Sequence, residues 1–156
     1  MAVDTGLKKP SNCIIERGMP QITTKKVENV TSMTPGVLVK KGTTDAEIVV
    51  CGDVEKPTGV LLYEFAHAGD KPADIDTAYA LNASAPVGWG KDFTFQGFLK
   101  AGEAVSDGDQ LVPAASGQLK SWVAGTDSLI CGTAAESIGH TGSAVRILVK
   151  ANLPPS

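Results

Sequence analysis

This sequence has few of the residues on which metal binding and catalysis depend. It contains two histidines, His67 and His140, and three cysteines, and aromatic residues make up 5% of the chain. The histidines are far apart and no two cysteines are spaced as a ligand pair, so we expect no metal site. Cys13, Cys51 and Cys131 are odd in number and are expected to be reduced, small apolar residues of a protein made in a cytoplasm.

Arginine is nearly absent as well. Arg17 and Arg146 are the only two, the formal net charge is −3, and the lysines are scattered in pairs along the chain. Nucleic-acid-binding proteins concentrate Arg and Lys on one face to displace counterions from phosphates. Direct binding of DNA or RNA is therefore not expected.

Long hydrophobic runs are also missing. No run approaches the roughly 20 apolar residues that a membrane-spanning helix needs. Residues 1–5 lack the charged and then apolar pattern of a signal peptide. We therefore expect neither a membrane segment nor secretion.

The common catalytic motifs are incomplete. Residues 88–90 begin like a dinucleotide-binding loop, but no third glycine or helix follows. Ser137 and His140 lie close in sequence, yet the glycines around them predict a flexible turn, whereas a serine nucleophile needs a rigid elbow. The aspartates of residues 70–76 lack the spacing of an EF-hand and predict a solvated acidic loop. We expect no enzymatic activity and no cofactor.

Glycine and proline are abundant, at 17 and 9 residues, which suits many short strands joined by tight turns. One phrase occurs twice: Gly36 and Gly59 lie 23 residues apart in the first copy, and Gly108 and Gly132 lie 24 apart in the second. Each copy reads as a glycine turn, a short apolar strand, a polar turn, a second strand, a glycine and a third strand. Such a repeat builds a compact β-domain and carries no chemistry of its own.

The strand pattern predicts a mostly β fold of about nine or ten short strands. We expect a single compact small β-barrel or β-sandwich over residues 21–150, and the sequence does not separate these two architectures. At most one short helix is expected, within residues 70–82, where Ile75 and Tyr79 lie at helical spacing, and this segment could equally be a loop across the surface. Residues 151–156 are expected to form a short C-terminal tail.

Residues 1–20 differ from the rest of the chain. They show no period of 2 or 3.6 and contain one apolar knot, Cys13-Ile14-Ile15. We interpret them as an extended N-terminal arm outside the β-domain. Two alternatives stay open: the arm is an unstructured terminus, or it becomes ordered on a partner with Ile14 and Ile15 as anchors.

Five motifs occur in a fixed order along the chain: residues 59–64, 101–105, 108–113, 132–136 and 144–150. Together they resemble the capsid cement, or head-decoration, proteins of tailed viruses, over roughly residues 21–150. The shared motifs are glycines at turns separated by short apolar segments, and the resemblance rests on their order and spacing.

The resemblance implies a structural virion protein on the outer surface of the expanded icosahedral capsid. It would stabilise the capsid by bridging major capsid protein subunits, and its partners would be that protein and other copies of itself, as a trimer in preference to a dimer or monomer. N-terminal arms often order on the capsid in such proteins, so we expect contacts from six arm residues: Leu7, Lys8, Cys13, Ile14, Ile15 and Arg17. On this view, deleting residues 1–18 leaves the fold intact and weakens capsid binding.

A second class of function stays open, a carrier or ligand-binding β-domain. The segment 101–119 is similar to biotinyl and lipoyl carrier hairpins, but Lys120 lies on a presumed strand and lacks the flanking Met or Asp of a modified lysine. A carbohydrate-binding module would need exposed aromatic side chains, and Trp89 and Trp122 are the only tryptophans. A prosthetic group found on a lysine by intact mass would favour the carrier class.

Overall fold

A computed structural model describes residues 7, 9–29, 31–124, 129–139 and 142–153. It confirms the mostly β fold. The described residues form eleven strands and one 3-10 turn, Ala115–Gly117. In chain order the strands are β1 (Ile15–Gly18), β2 (Gln21–Val27), β3 (Leu38–Lys41), β4 (Glu47–Val50), β5 (Gly59–Leu61), β6 (Ser84–Trp89), β7 (Phe93–Leu99), β8 (Gln110–Pro113), β9 (Leu119–Ser121), β10 (Gly132–Ala134) and β11 (Val145–Ala151). Nowhere in the described ranges is there a helix that could cross a membrane.

The strands close into two small five-stranded barrels. The first has the order β2-β4-β3-β5-β6 and closes by antiparallel pairing of β6 with β2. The second has the order β7-β9-β8-β10-β11 and closes by antiparallel pairing of β11 with β7. In each barrel one pair is parallel, β2 with β4 and β7 with β9. The single barrel or sandwich expected from the sequence is thus two barrels in tandem.

The two barrels have the same topology, strand for strand in chain order. Their registers also correspond, because Val39 pairs with Gly59 in the first barrel and Leu111 pairs with Gly132 in the second. The phrase repeated in the sequence therefore becomes β3 to β5 in one barrel and β8 to β10 in the other. The turn before each copy is equivalent too: the N–H groups of Gly36 and Gly108 donate to the third strands, over 2.7 and 2.8 Å.

The equivalent glycines of the third strands allow the neighbouring strand to approach closely. A methyl group on Gly59 would lie 2.5 Å from the carbonyl oxygen of Gly88 and 2.6 Å from Cγ1 of Val87. On Gly132 it would collide with Val149, the counterpart of Val87, and lie 2.9 Å from the carbonyl oxygen of Lys150.

We therefore expect Gly59→Ala and Gly132→Ala each to lower the free energy of unfolding by about 1–3 kcal/mol, the usual cost of overpacking. Urea denaturation followed by circular dichroism measures the change. Gly69→Ala is the matched control, because no atom lies within 4 Å of the added methyl group and its stability should be unchanged. Equal stability of all three variants would contradict this account of the two glycines.

The barrels are joined by an apolar cluster to which both contribute, and they are also bonded across their junction. The inner face of the first barrel packs around Val39 and Val87, whereas Leu38 and Val60 point the other way and join the core of the second barrel. Between the barrels, the Lys120 ammonium lies 2.9 Å from the carboxylate of Asp53. The two barrels therefore form a single packed body.

The structure decides one open alternative of the sequence analysis and corrects one boundary. The segment 70–82 is a series of turns and contains no helix. Its apolar residues anchor a loop: Ile75 and Tyr79 are buried, and the Tyr79 hydroxyl donates to the carbonyl of Leu62 over 2.6 Å. At the other end of the chain, Ala151 is the last residue of β11 and Leu153 is fully buried, so the tail begins later than residue 151.

Candidate functional site

The N-terminal segment, which comprises the described residues 7 and 9–18, adds a sixth strand, β1, to the second barrel. β1 runs antiparallel to β7, with Ile15 opposite Phe95 and Arg17 opposite Thr94. The carbonyl of Ile14 accepts the backbone N–H of Gln96 over 2.7 Å, and the Ile14 side chain is fully buried in the apolar cluster to which both barrels contribute. The division that leaves residues 1–20 outside the β-domain is therefore incorrect for residues 14–18, because the apolar knot packs against the chain's own barrel.

A buried glutamine fixes the residues before β1. Gln96, 1% exposed, lies on β7, and its Nε2 donates to the carbonyls of Pro10 (2.7 Å) and Cys13 (2.8 Å). A buried amide without partners would cost free energy. Here both donor hydrogens are used to hold the incoming chain on the barrel.

Glu64 of the first barrel binds the same segment from the other side. Its carboxylate, directly after β5 and the Leu62-Tyr63 pair, accepts the N–H of Ile14 at 3.0 Å and that of Ile15 at 2.8 Å. The segment therefore contacts both barrels, since Glu64 belongs to the first and Gln96 to the second. Hydrogen bonds to an ionised carboxylate are among the stronger ones in proteins.

Glu136 has the corresponding role after β10 of the second barrel. Its carboxylate accepts the N–H of Leu148 (2.7 Å) and that of Leu7 (2.5 Å), and it lies 2.8 Å from the ammonium of Lys9. The Glu136 side chain is 1% exposed and that of Lys9 is 10% exposed, so this ion pair is buried. The glutamates that end the two copies of the repeated phrase thus both hold the N-terminal segment.

The six residues predicted to contact a capsid are placed differently from one another. Leu7 is 61% exposed and the Arg17 side chain is 81% exposed, so both are accessible. Cys13 and Ile15 are partly buried. Ile14 is engaged by the protein's own core, and Lys8 lies outside the described residues. Sequence reasoning missed Gln96, Glu64 and Glu136. For the two glutamates, the available signal was their position at the ends of the two copies of the repeated phrase.

Arg146 on β11 ties the second barrel to the loops of the first. Its guanidinium donates to the carbonyls of Pro35 (3.0 Å) and Ile75 (2.5 Å), and it lies 4.3 Å from the centre of the Phe98 ring. Burial lowers the pKa of Arg146, and the hydrogen bond and charge of Asp76 oppose that shift. An arginine remains charged at such a site, so this contact is a permanent cationic clamp.

The environment of each of the three thiols raises its pKa. Burial raises the pKa of Cys51 to about 12 and raises that of Cys131 further. Burial, with the charge of Glu64, also raises the pKa of Cys13. Because the thiolate is the reactive form, none of the three is activated as a nucleophile.

The other residues considered for chemistry make structural contacts. The Ser137 hydroxyl oxygen accepts the N–H of Asp107 over 2.9 Å, and the Asp74 carboxylate accepts the N–H of Asp76 within its own turn. His140 lies outside the described residues. Within the described ranges, no group of three or more His, Cys, Asp or Glu side chains could hold a metal ion.

Two residues that a carrier or carbohydrate-binding function would use, Lys120 and Trp89, make contacts within the protein. Lys120 lies on β9 in its ion pair with Asp53. The indole N–H of Trp89 donates to the Thr23 hydroxyl over 3.0 Å. Trp122 lines a shallow cleft at the edge of the second barrel, with Gln110 among its neighbours.

The chain therefore has the fold of two β-barrels of one topology that pack together, with the N-terminal segment bound to both. Among solved structures it is similar to the N base of the head fiber gp8.5 of bacteriophage phi29, seen by crystallography, with 17% sequence identity and a TM-score of 0.46. The similarity covers 87% of this chain and 99% of that one. No protein-family model matches the chain, and no curated protein matches it in sequence.

Proposed function

We propose that this chain is a structural protein of a tailed-virus head. It binds the outer surface of the expanded icosahedral capsid and stabilises the shell by bridging major capsid protein subunits. The observation that carries the proposal is the tandem of two equivalent barrels held as one packed body, on a sequence that resembles the capsid cement proteins.

A bridging protein benefits from two contact surfaces at a fixed separation. When both surfaces belong to one rigid body, binding of the first holds the second near its site, which raises its effective concentration and avoids the cost of ordering a linker. Three contacts fix the barrels here: the Arg146 clamp, the Lys120–Asp53 ion pair and the N-terminal segment bound by Glu64 and Glu136.

The main difference between the barrels offers a contact surface. The connection from β5 to β6, residues 62–83, is longer than its counterpart in the second barrel, residues 135–144. It carries two exposed apolar side chains, Phe65 at 46% and Leu81 at 55%. Exposed apolar side chains supply the buried centre of a protein contact, so this connection is the part of the first barrel that we assign to a partner.

The energetic role follows from selective binding. A protein that binds the expanded shell and not its precursor stabilises the expanded state by mass action. Each contact can be weak when every copy touches several subunits. Neighbouring copies, as a trimer, are the second class of partner in this proposal.

Co-sedimentation of the purified protein with unexpanded and expanded heads of its source virus tests the proposal. We expect saturable binding to expanded heads and none to unexpanded heads, which serve as the matched control. Absence of binding to either would overturn the proposal and favour a carrier or ligand-binding domain, for which intact mass is the next measurement.

A further inference from the structure

β1 shows how this type of barrel accepts an added strand. It lies along the outer edge of β7, where Arg17 is opposite Thr94 and the N–H of Gln96 donates to the carbonyl of Ile14. The first half of β7 thus has a neighbour on each side, β11 and β1. The added strand is antiparallel and contributes a fully buried side chain, Ile14, to the core.

The first barrel has the same edge on β2. Ile22 of β2 pairs with Gly88 of β6, and Thr94 of β7 pairs with Lys150 of β11. Gly88 and Lys150 are equivalent, because each pairs with the second residue of the third strand of its barrel, Val60 and Thr133. Ile22 is therefore the counterpart of Thr94, and Thr24, two residues later, is the counterpart of Gln96. Thr94 and Gln96, which lie against β1, thus correspond to Ile22 and Thr24 of β2.

The backbone groups of Ile22 and Thr24 point away from β6. Farther along β2, the N–H groups of Lys26 and Glu28 donate to the carbonyls of Ala46 and Ile48, on the side opposite β6. Alternation along a strand places residues 22 and 24 on that same side. β4 pairs with β2 only at Lys26 and Val27, so it leaves this part of the edge uncovered.

No described residue forms a backbone hydrogen bond with Ile22 or Thr24 on this edge. Ile22 is 38% exposed, Met19 just before the strand is 65% exposed, and Thr24 is exposed as well. An open strand edge beside exposed apolar side chains is a template for pairing with another chain. The first barrel thus lacks, among the described residues, the sixth strand that completes the second.

We propose that this edge of β2 receives an extended segment of a capsid subunit, running antiparallel to β2. The inference rests on the proposed function and names the contact. The bound segment would bond with its backbone to Ile22 and Thr24, as Arg17 and Ile14 lie against β7. It would place an apolar side chain beside Ile22, since a β-branched side chain favours an apolar cross-strand neighbour.

A second copy of this chain fits the edge less well. Antiparallel pairing of β2 with another β2 would involve only residues 21–25 of each copy. Such a contact falls far below the roughly 1,200 Å² that a specific stable interface buries. A capsid lattice supplies several contacts to each bound protein at once, so a short strand addition contributes usefully there.

Thr24→Pro is the direct test, because proline removes the outward N–H and is tolerated at a strand edge where that group has no partner. Thr24→Val is the matched control, since it keeps the N–H and changes only the side chain. In co-sedimentation with expanded heads we expect Thr24→Pro to raise the dissociation constant about tenfold or more, and Thr24→Val to leave it within about twofold.

Hydrogen–deuterium exchange on the unmodified protein keeps the inference testable if Thr24→Pro does not fold. The amides of Ile22 and Thr24 should exchange more slowly on expanded heads than in the free protein. Binding by the wild type with unchanged exchange, or equal binding by Thr24→Pro, would overturn the strand addition and leave the proposed function standing. Protection that develops without heads as concentration rises would assign the edge to a second copy. Wild-type protein that binds no heads would overturn the proposed function itself.

Discussion

Deleting residues 1–18 should abolish cooperative folding, contrary to the expectation from the sequence that the fold survives. The deletion removes β1 and the fully buried Ile14, whose loss alone costs about 2–5 kcal/mol. It also leaves Gln96 and Glu136 buried without their N-terminal partners, at about 1–3 kcal/mol for each unsatisfied group. Together these losses approach the whole stability of a typical domain, about 5–15 kcal/mol.

Thermal and urea denaturation followed by far-UV circular dichroism measures this effect. Deletion of residues 1–6 is the control, because it keeps Leu7, Lys9 and all of the contacts that the structure describes for this segment. The control should keep most of the stability that the Δ1–18 protein loses. A Δ1–18 protein with a transition midpoint within a few degrees of the full chain would show that the N-terminal segment is not part of the folded body.

Glu136→Ala should destabilise the protein by about 3–5 kcal/mol, the usual cost of removing one partner of a buried ion pair. The substitution leaves the Lys9 ammonium, 10% exposed, without the carboxylate that neutralises it. It also leaves the N–H of Leu148 without its buried acceptor. The free energy of unfolding from urea titration is the measurement.

The controls separate burial from charge. Glu55→Ala removes a carboxylate that is 44% exposed and paired with Lys40, and an exposed pair contributes about 0–1 kcal/mol. The double variant Lys9→Met with Glu136→Gln removes both charges and keeps an acceptor for Leu148, so it should be more stable than Glu136→Ala. If Glu136→Ala cost no more than Glu55→Ala, the buried carboxylate would have no structural role.

The strands and their repeat were predictable because their signals are local. The two glycine pairs 36/59 and 108/132 identify turns and the short strands that follow them within a few residues. The two-barrel closure depends on the pairing of β2 with β6 and of β7 with β11, across long stretches of chain. The sequence of a strand does not specify which distant strand it pairs with, so nine or ten strands predicted one barrel or a sandwich.

The site was predictable only in part, for a related reason. The Cys13-Ile14-Ile15 knot was recognised as an anchor, but an apolar triplet does not show whether the surface that receives it belongs to the same chain. That information lies in Glu64, Gln96 and Glu136, which look like ordinary surface residues in a linear sequence. The helical spacing of Ile75 and Tyr79 likewise did not distinguish a short helix from a loop, because two anchors of a loop can match a helical period by chance.

The placement of β1 has a consequence for the order in which a nascent chain can fold. The first barrel has all its strands once Trp89 has been made, whereas β1, near the start of the chain, has no partner until Phe93–Leu99 follows. The carboxylate that binds Leu7 and Lys9 is made later still, at Glu136. Domains fold as units during synthesis, so residues 7–18 leave the ribosome before either barrel is complete and are among the last described residues to reach their native positions.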